Sequence, residues 1–377
     1  MTLKTGSFLG MANDIKARDE KIIIFGTGVI GMTVVPEILK ENGLIERVEG
    51  CIDNDSSRWN SDVIIGGKEV KIYDPDIIKT KSSRLVVLIT ISRFFSAFEQ
   101  LKSLVGDKDI SCYIIPIMCI TNFHTNSSCG VIKTTDKPII PKKIHYMWLG
   151  RKEMPDNLHR CIKSWKKYCP DYEIIRWDES NYDVHKNRFV TQAYDNNRLG
   201  FVPDYARLEL LYEHGGIYMD TDVEIQRNLD DLLFQNAFCS VEKWQVVNFG
   251  GCSGSVKGNI SLLPYLENWQ KRSLVREDGS LDSISSGLID TSIALENGYK
   301  INGENQAAGG INIYTYDYFH PYDYMSGKLE MSNNTYSIHH FHGGWLDKKA
   351  QSDNQKSETI FQMILSQAEN VDCPNSN

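Results

Sequence analysis

Residues 21 to 31, KIIIFGTGVIG, place an apolar run directly against a glycine-rich turn, and this limits the fold of the N-terminal third more than any other stretch. Apolar positions at Val34, Val35, Ile38 and Leu39 follow at helical spacing, so the segment reads as a buried strand passing straight into a helix. A second strand over 47–52 ends at Asp53-Asn54-Asp55, and apolar runs at 85–91 and 112–115 alternate with helical stretches. Strands alternating with helices need crossover connections, which predicts a parallel sheet covered on both faces. The glycines Gly26, Gly28 and Gly31, with Asp53 about twenty residues further on, match the dinucleotide fingerprint. In that reading the glycines let the backbone approach a pyrophosphate at a helix N-terminus, and Asp53 accepts from a ribose hydroxyl. The alternative is that the glycines only pack a strand against a helix. The unit is about one mononucleotide-binding half, with no second half to hold a nicotinamide, so nucleotide binding, sensing and docking of a partner all remain open for it.

At 377 residues the chain has room for two domains, each with its own core. The composition shifts place a first domain at 1–120, a linker rich in Thr, Ser, Asn and Pro at 121–140, a second α/β domain at 141–350, and a polar tail at 351–377 with one short amphipathic stretch, Ile360 to Ile364. A net charge of −8 argues against a general nucleic-acid binder. No apolar run approaches the roughly 20 residues that span a bilayer, and the first residues lack the apolar core of a secretory signal. The expectation is a cytoplasmic chain, with peripheral association at the inner face of a membrane, beside an assembly complex, as an option. The nine cysteines form no CxxC pair, which argues for reduced, buried thiols over a zinc site.

Chemistry concentrates in FVPDYARLELLYEHGGIYMDTDVE, residues 201–224. It reads as a helix, a Gly215-Gly216 break, a short strand, and two aspartates one residue apart. Side chains alternate along a strand, so Asp220 and Asp222 are expected to point to one side. Two carboxylates in one small volume repel unless a cation lies between them, and a hard divalent ion bridging a diphosphate is the natural occupant. Asp204 and Arg207, three apart on the helix, share a face. The catalytic candidates are therefore Asp204, Arg207, Asp220 and Asp222, with Asp222 and Asp220 as metal ligands. An exposed ion pair is the bland reading of Asp204 and Arg207. Trp148, at the end of an apolar strand and beside Gly150, either stacks on a flat base or packs the core. SIHHFHGGWLD, residues 337–347, offers imidazoles as ligands: His340 first, with His339 and His342 as competitors.

Together PKKIHYMWLG, PDYEIIRWD, PDYARLELLYEHGGIYMDTD and HHFHGGW resemble glycosyltransferase family 32 over about 200 residues, in the family's order. The resemblance implies a GT-A fold for the second domain, an Asp-x-Asp motif with Mn²⁺ or Mg²⁺, a UDP- or GDP-sugar donor, a glycan or lipid-linked glycan acceptor, and transfer of a hexose with retention. It also implies donor contacts at Trp148, Asp204, Arg207, Asp220, Asn248 and Trp345, and a place in bacterial surface or capsular polysaccharide synthesis. Gly344-Trp345 departs from the commoner Ser-Trp ending. The first domain resembles the small Rossmann-like domains fused to bacterial sugar-modifying enzymes. Two other classes compete: a phosphoryl-transfer enzyme of the haloacid-dehalogenase kind, and a non-catalytic sugar-binding module. The first would want Thr or Val where Glu224 stands, and the second would be expected to have lost one of the four charged residues.

Overall fold

The computed structural model describes residues 1–81, 84–92, 94–123, 130–150, 152–277, 279–282, 285–324, 326–342, 352 and 355–362. The N-terminal strands are β1 (Thr2–Lys4), β2 (Lys21–Phe25), β3 (Val48–Ile52), β4 (Asp62–Ile65), β5 (Lys68–Tyr73), β6 (Leu85–Ile89) and β7 (Ser111–Ile114). They form one sheet in the order β1-β7-β6-β2-β3-β5-β4. Every pairing is parallel except β4 with β5, a hairpin at the edge. All five residues of β6, LVVLI, are buried, which is the burial a strand flanked on both sides in a parallel sheet requires. Helices α1 (Phe8–Ala17), α2 (Val35–Glu41) and α3 (Phe94–Val105) connect its strands, and α4 (Ile115–Asn122) follows β7.

The second sheet has eight strands: β8 (Lys143–Met147), β9 (Glu173–Trp177), β10 (Gly216–Tyr218), β12 (Ala237–Val241), β13 (Val247–Asn248), β14 (Ser253–Ser255), β15 (Gln306–Ala308) and β16 (Ile311–Tyr314). Its order is β15-β16-β12-β14-β10-β8-β9, with β13 on β12. It is mixed: β8, β9 and β10 run parallel, while β14 is antiparallel to β10 and β12. Between β10 and β12, β11 (Val223–Ile225) leaves the sheet to pair antiparallel with Ser337–His339. The helices here are α5 (Asp156–Tyr168), α6 (Arg188–Asp195), α7 (Val202–His214), α8 (Leu263–Gln270) and α9 (Ser286–Glu296). The α/β class read from the alternation is the one observed.

Helix α5 shows how packing sets the site. Leu158, Cys161, Ile162 and Trp165 form its buried stripe. Trp165 is fully buried and donates from Nε1 to the Val223 carbonyl at 2.7 Å, while Ser164 Oγ accepts from the Ile225 N–H at 2.9 Å. An indole buried to this extent contributes about 5 kcal/mol of apolar transfer, and here it braces β11 from behind.

Three features differ from the sequence-based expectation. One cluster of buried apolar side chains runs from Ile23 and Leu88 in the first domain through Val246, Leu266 and Ile289 in the second, so the two sheets do not have wholly separate cores. The linker is tied down where it is described: Thr134 N–H donates to Phe234 O at 2.8 Å, Ile139 N–H to Leu233 O at 2.8 Å, and Ile140 is buried. Within the tail, residues 355–362 are helical, Phe361 is fully buried, and Ser357 Oγ accepts from Phe95 N–H at 3.2 Å. Phe361 lies within the amphipathic stretch read at Ile360 to Ile364, and with Ile360 it packs this helix on the core.

Candidate active site

Helix α7 starts with Pro203 in its first turn and ends at Gly215 with φ +66°; Gly216 follows at φ +107°. Both glycines are required, because a Cβ at Gly215 would lie 2.7 Å from Lys257 N and one at Gly216 2.9 Å from Lys143 O. The His145 ring fastens this break: Trp177 Nε1 donates to its Nδ1 at 3.1 Å, so the proton sits on Nε2 and is given to Gly215 O at 2.9 Å. The chain then turns sharply into β10 beside β8.

Asp220 and Asp222 lie beyond β10, in the turn that joins it to β11, rather than within one strand. Simple alternation therefore does not set their directions. Asp220 N–H donates to Gly250 O at 2.8 Å, and its carboxylate faces Arg207 Nη2 at 3.6 Å. Arg207, 6% exposed, also donates from Nη2 to Asp204 Oδ1 at 2.8 Å and from Nε to Pro203 O at 3.1 Å. Asp204 and Arg207 are thus a buried pair, not the exposed helix pair that was the alternative. Burial lifts the Asp204 carboxyl to about 6, with Arg207 opposing and Asp220 adding to the rise. Burial also disfavours the Arg207 charge, but Asp220 and Asp204 outweigh it and keep the guanidinium firmly protonated.

Asp222 meets the late histidines. His339 Nε2 is 3.3 Å from its Oδ1, and His342 N–H donates to its Oδ2 at 3.0 Å. Burial raises this carboxyl, yet the attraction and hydrogen bond of His339 and the backbone contact of His342 prevail and hold it well below the usual range. His340 turns away: its Nε2 lies 2.9 Å from Glu224 Oε2. The antiparallel register sets this, since Val223 stands opposite His339 and the ring of the next residue falls elsewhere. Of the three imidazoles, His339 lies nearest Asp222, His342 Nδ1 stands 3.9 Å from its Oδ2, and His340 faces Glu224 instead.

Trp148, at the C-terminal end of β8, is half-buried and donates to Lys152 O at 2.7 Å. The registers Tyr218 with His145 and Met147 with Trp177 put Trp148 and Asp220 just beyond the ends of adjacent parallel strands, where α/β sheets bind ligands. Asn248 accepts from the Gly250 N–H at 2.7 Å and the Gly251 N–H at 3.2 Å, and donates to Glu242 Oε1 at 2.9 Å. It shapes the turn beneath Asp220, where a Cβ on Gly250 would fall 2.1 Å from Asp220 Oδ2. Trp345 lies outside the described residues.

The sequence reading passed over two acids here. Glu242, raised by burial, is held between Asn248 and Trp244. Asp290 is 1% exposed in α9, takes a hydrogen bond from Trp269 Nε1 at 3.2 Å, and is lifted by burial to about 7. An acid inside the apolar run GLIDTSIA was a legible sign for Asp290; nothing comparable marked Glu242.

Among the described residues no three or more His, Cys, Asp or Glu side chains are arranged to hold a metal by themselves. Two carboxylates and one imidazole suit an ion that takes its remaining ligands from substrate phosphates and water, as Mg²⁺ commonly does. His339 Nδ1 is buried without a hydrogen-bond partner, while Nε2 faces the Asp222 carboxylate at 3.3 Å.

In the first domain Asp53 and Gly31 are engaged within the turn itself. Asp53 Oδ2 accepts from Thr27 N–H at 2.8 Å and from Thr27 Oγ1, and its Oδ1 accepts from Asp55 N–H at 2.9 Å. A Cβ at Gly31 would lie 2.1 Å from Gly26 O, while Gly28 borders open space. Asp53 and Gly31 hold the turn together, as close packing of strand on helix demands.

A family model described as the glycosyltransferase sugar-binding region containing a DXD motif matches residues 155–239. Over 145 residues the chain is 31% identical to inositol phosphoceramide mannosyltransferase 3 of Schizosaccharomyces pombe, covering 36% of this chain and 39% of that one. It is 25% identical over 199 residues to the uncharacterized glycosyltransferase L373 of Acanthamoeba polyphaga mimivirus, covering 50% and 76%. The chain spans about two fifths of the length of the yeast relatives. Among solved structures, PaToxG glycosyltransferase (20% identical, 34% of this chain and 59% of that one, TM-score 0.28) and the galactosyltransferase LgtC (12%, 58% and 95%, TM-score 0.31) are remote likenesses. The matched stretch contains Asp204, Arg207, Asp220 and Asp222, and over it the chain is similar to the sugar-binding region of the DXD glycosyltransferases.

Proposed function

We propose that the chain is a metal-dependent, retaining hexosyltransferase that moves a sugar from a UDP- or GDP-linked donor to a glycan or lipid-linked glycan. The observation that carries this reading is the chain of charge from the buried Asp204 and Arg207 to the half-buried Asp220, set beside an ionised Asp222. Mn²⁺ or Mg²⁺, held by Asp222 with Asp220 and His339 near it, would neutralise charge on the departing diphosphate. Arg207 fixes Asp220, and Asp204 keeps Arg207 in place. Trp148 offers its ring to the base. Glu242 is already engaged by Trp244 and Asn248, which favours passage of the acceptor's proton to the leaving phosphate and hence retention. The relatives named for mannosyl transfer to inositol phosphoceramide favour a mannosyl donor and a lipid acceptor with a phosphoinositol head.

A panel of UDP- and GDP-sugars, assayed for Mn²⁺-dependent hydrolysis, tests the reading. Asp222→Asn is expected to lower turnover by about 10³-fold with the fold retained by circular dichroism, although the melting temperature falls because the carboxylate that faces His339 is lost. Wild-type turnover in that variant, or hydrolysis indifferent to EDTA, would remove the metal from the proposal.

A further inference from the structure

A cleft of about 840 Å³ opens between the two domains, apart from the Asp-x-Asp turn. Its first-domain wall carries Thr27 and Arg58, beside the glycine-rich turn; its second-domain wall comes from α8, α9 and the segment after α8. Three arginines reach it: Arg58 from one domain, Arg272 and Arg276 from the other. Arg58 gives Nη1 to Thr27 O and Oγ1, each at 2.9 Å, and its Nε stands 3.4 Å from Asp55. Arg276 Nη2 is 3.2 Å from Asp282. Both side chains stay roughly a third exposed, so each has donors to offer. Arg272 differs: its Nε is buried with no hydrogen-bond partner. Leaving a buried guanidinium N–H unmade is costly, and such an atom marks a place where a polar partner belongs.

The rest of the lining divides by chemistry. Met32, Val63, Leu288 and Ile289 give an apolar wall, while Ser57, Ser61 and Asn268 give neutral hydrogen-bonding groups. Asp282 and Glu277 also border the cleft, so its charge is not a uniform basic field. The combination suits a ligand with one compact anionic end and a larger uncharged body. Guanidinium groups pair with phosphate oxygens through parallel N–H bonds, and junctions between domains are favoured places for small-molecule sites.

We infer that this interdomain cleft binds a phosphomonoester of nucleotide size, its phosphate clamped by Arg58, Arg272 and Arg276 and its body laid on the Met32–Leu288 wall. Such a ligand would join the two domains. It would also touch α9, whose Ser286 hydroxyl bonds Asp204 and whose Asp290 lies in the field of both Arg207 and Arg272. One helix therefore borders both the cleft and the proposed donor site.

The test is calorimetry of the full chain with adenosine monophosphate in EDTA, conditions that deprive the Asp-x-Asp turn of any divalent ion. Binding is expected, and Arg58→Gln and Arg276→Gln should each weaken it about tenfold, the worth of one charge-assisted contact; without the nucleotide, Arg276→Gln should melt as the parent does, while Arg58→Gln melts lower because its bonds to Thr27 are lost. No binding up to about 10 mM, or undiminished binding in either variant, overturns the inference. Hydrogen exchange on the unaltered chain reads the same site without a substitution. The nucleotide should slow exchange at 57–63 and 268–277 together, and slowing confined to the neighbourhood of Trp148 and Asp222 would refute the cleft. Because no Mn²⁺ or sugar donor enters these measurements, their outcome is independent of the glycosyl-transfer assay.

Discussion

Replacing Arg207 with Met would leave Asp204 buried beside Asp220 with the shared cation gone. Removing one partner of a buried pair costs about 3 kcal/mol or more, so a clear drop in melting temperature is expected. The double variant Arg207→Met with Asp204→Asn should recover most of that stability in thermal melting while donor hydrolysis stays absent; recovery of turnover would assign both residues to structure alone. Asp290 gives a pH signature. Its carboxyl titrates near 7 in the folded chain because it is buried, against about 4 when unfolded. Between those values the unfolded chain has released a proton that the folded chain keeps. Its contribution to stability is thus full below about pH 4, declines as pH rises, and is gone above about pH 7. Asp290→Asn keeps an acceptor for Trp269 Nε1 and removes the titration. Denaturant unfolding should find it about 2 kcal/mol more stable than the parent at pH 8 and little changed at pH 4. Asp204 and Arg207 were legible as one-face partners from their spacing; that they are buried was not, because burial depends on what packs over the helix.

At the scale of elements, the turn 248–251 is as important as the aspartates it supports. Gly250→Ala would drive a methyl group to 2.1 Å from Asp220 Oδ2 and 3.0 Å from Arg207 Nη1. Loss of most donor hydrolysis, with a destabilisation of about 1–3 kcal/mol from overpacking, is the expected result of activity and melting measurements. Helix, double glycine, strand and Asp-x-Asp could be read in order because each is encoded within a few residues. The directions of the two carboxylates could not, since the strand ends at Tyr218 and a turn takes over. The choice of His339 over His340 was hidden for a related reason. It depends on the register between β11 and Ser337–His339, strands more than a hundred residues apart. A slip of one residue would exchange the two rings.

For the whole molecule, the C-terminal helix and the shared apolar cluster argue that the domains act as one folding unit. Phe361→Ala removes a fully buried ring and is expected to cost about 3 kcal/mol. A single shifted melting transition would fit the continuous cluster, whereas an unshifted one would leave this helix a bystander. Near it, Gln362 Nε2 donates to Ser326 O at 2.7 Å, and Lys356 Nζ lies 5.4 Å from the Phe95 ring, so the segment touches both domains.

Local patterning alone determined the α/β class, the glycine-rich turn, the helix–Gly-Gly–strand unit and the identity of the charged residues around the Asp-x-Asp motif. Each of these rests on near-neighbour sterics and on periodic burial, which a linear chain records directly. Tertiary structure decided which histidine meets Asp222, that Asp53 is spent on holding its own turn, that a polar tail docks, and that three arginines from two domains meet at one cleft. These depend on registers and packing between residues far apart in the chain, where small energies summed over many contacts choose among arrangements that local preference leaves nearly equal.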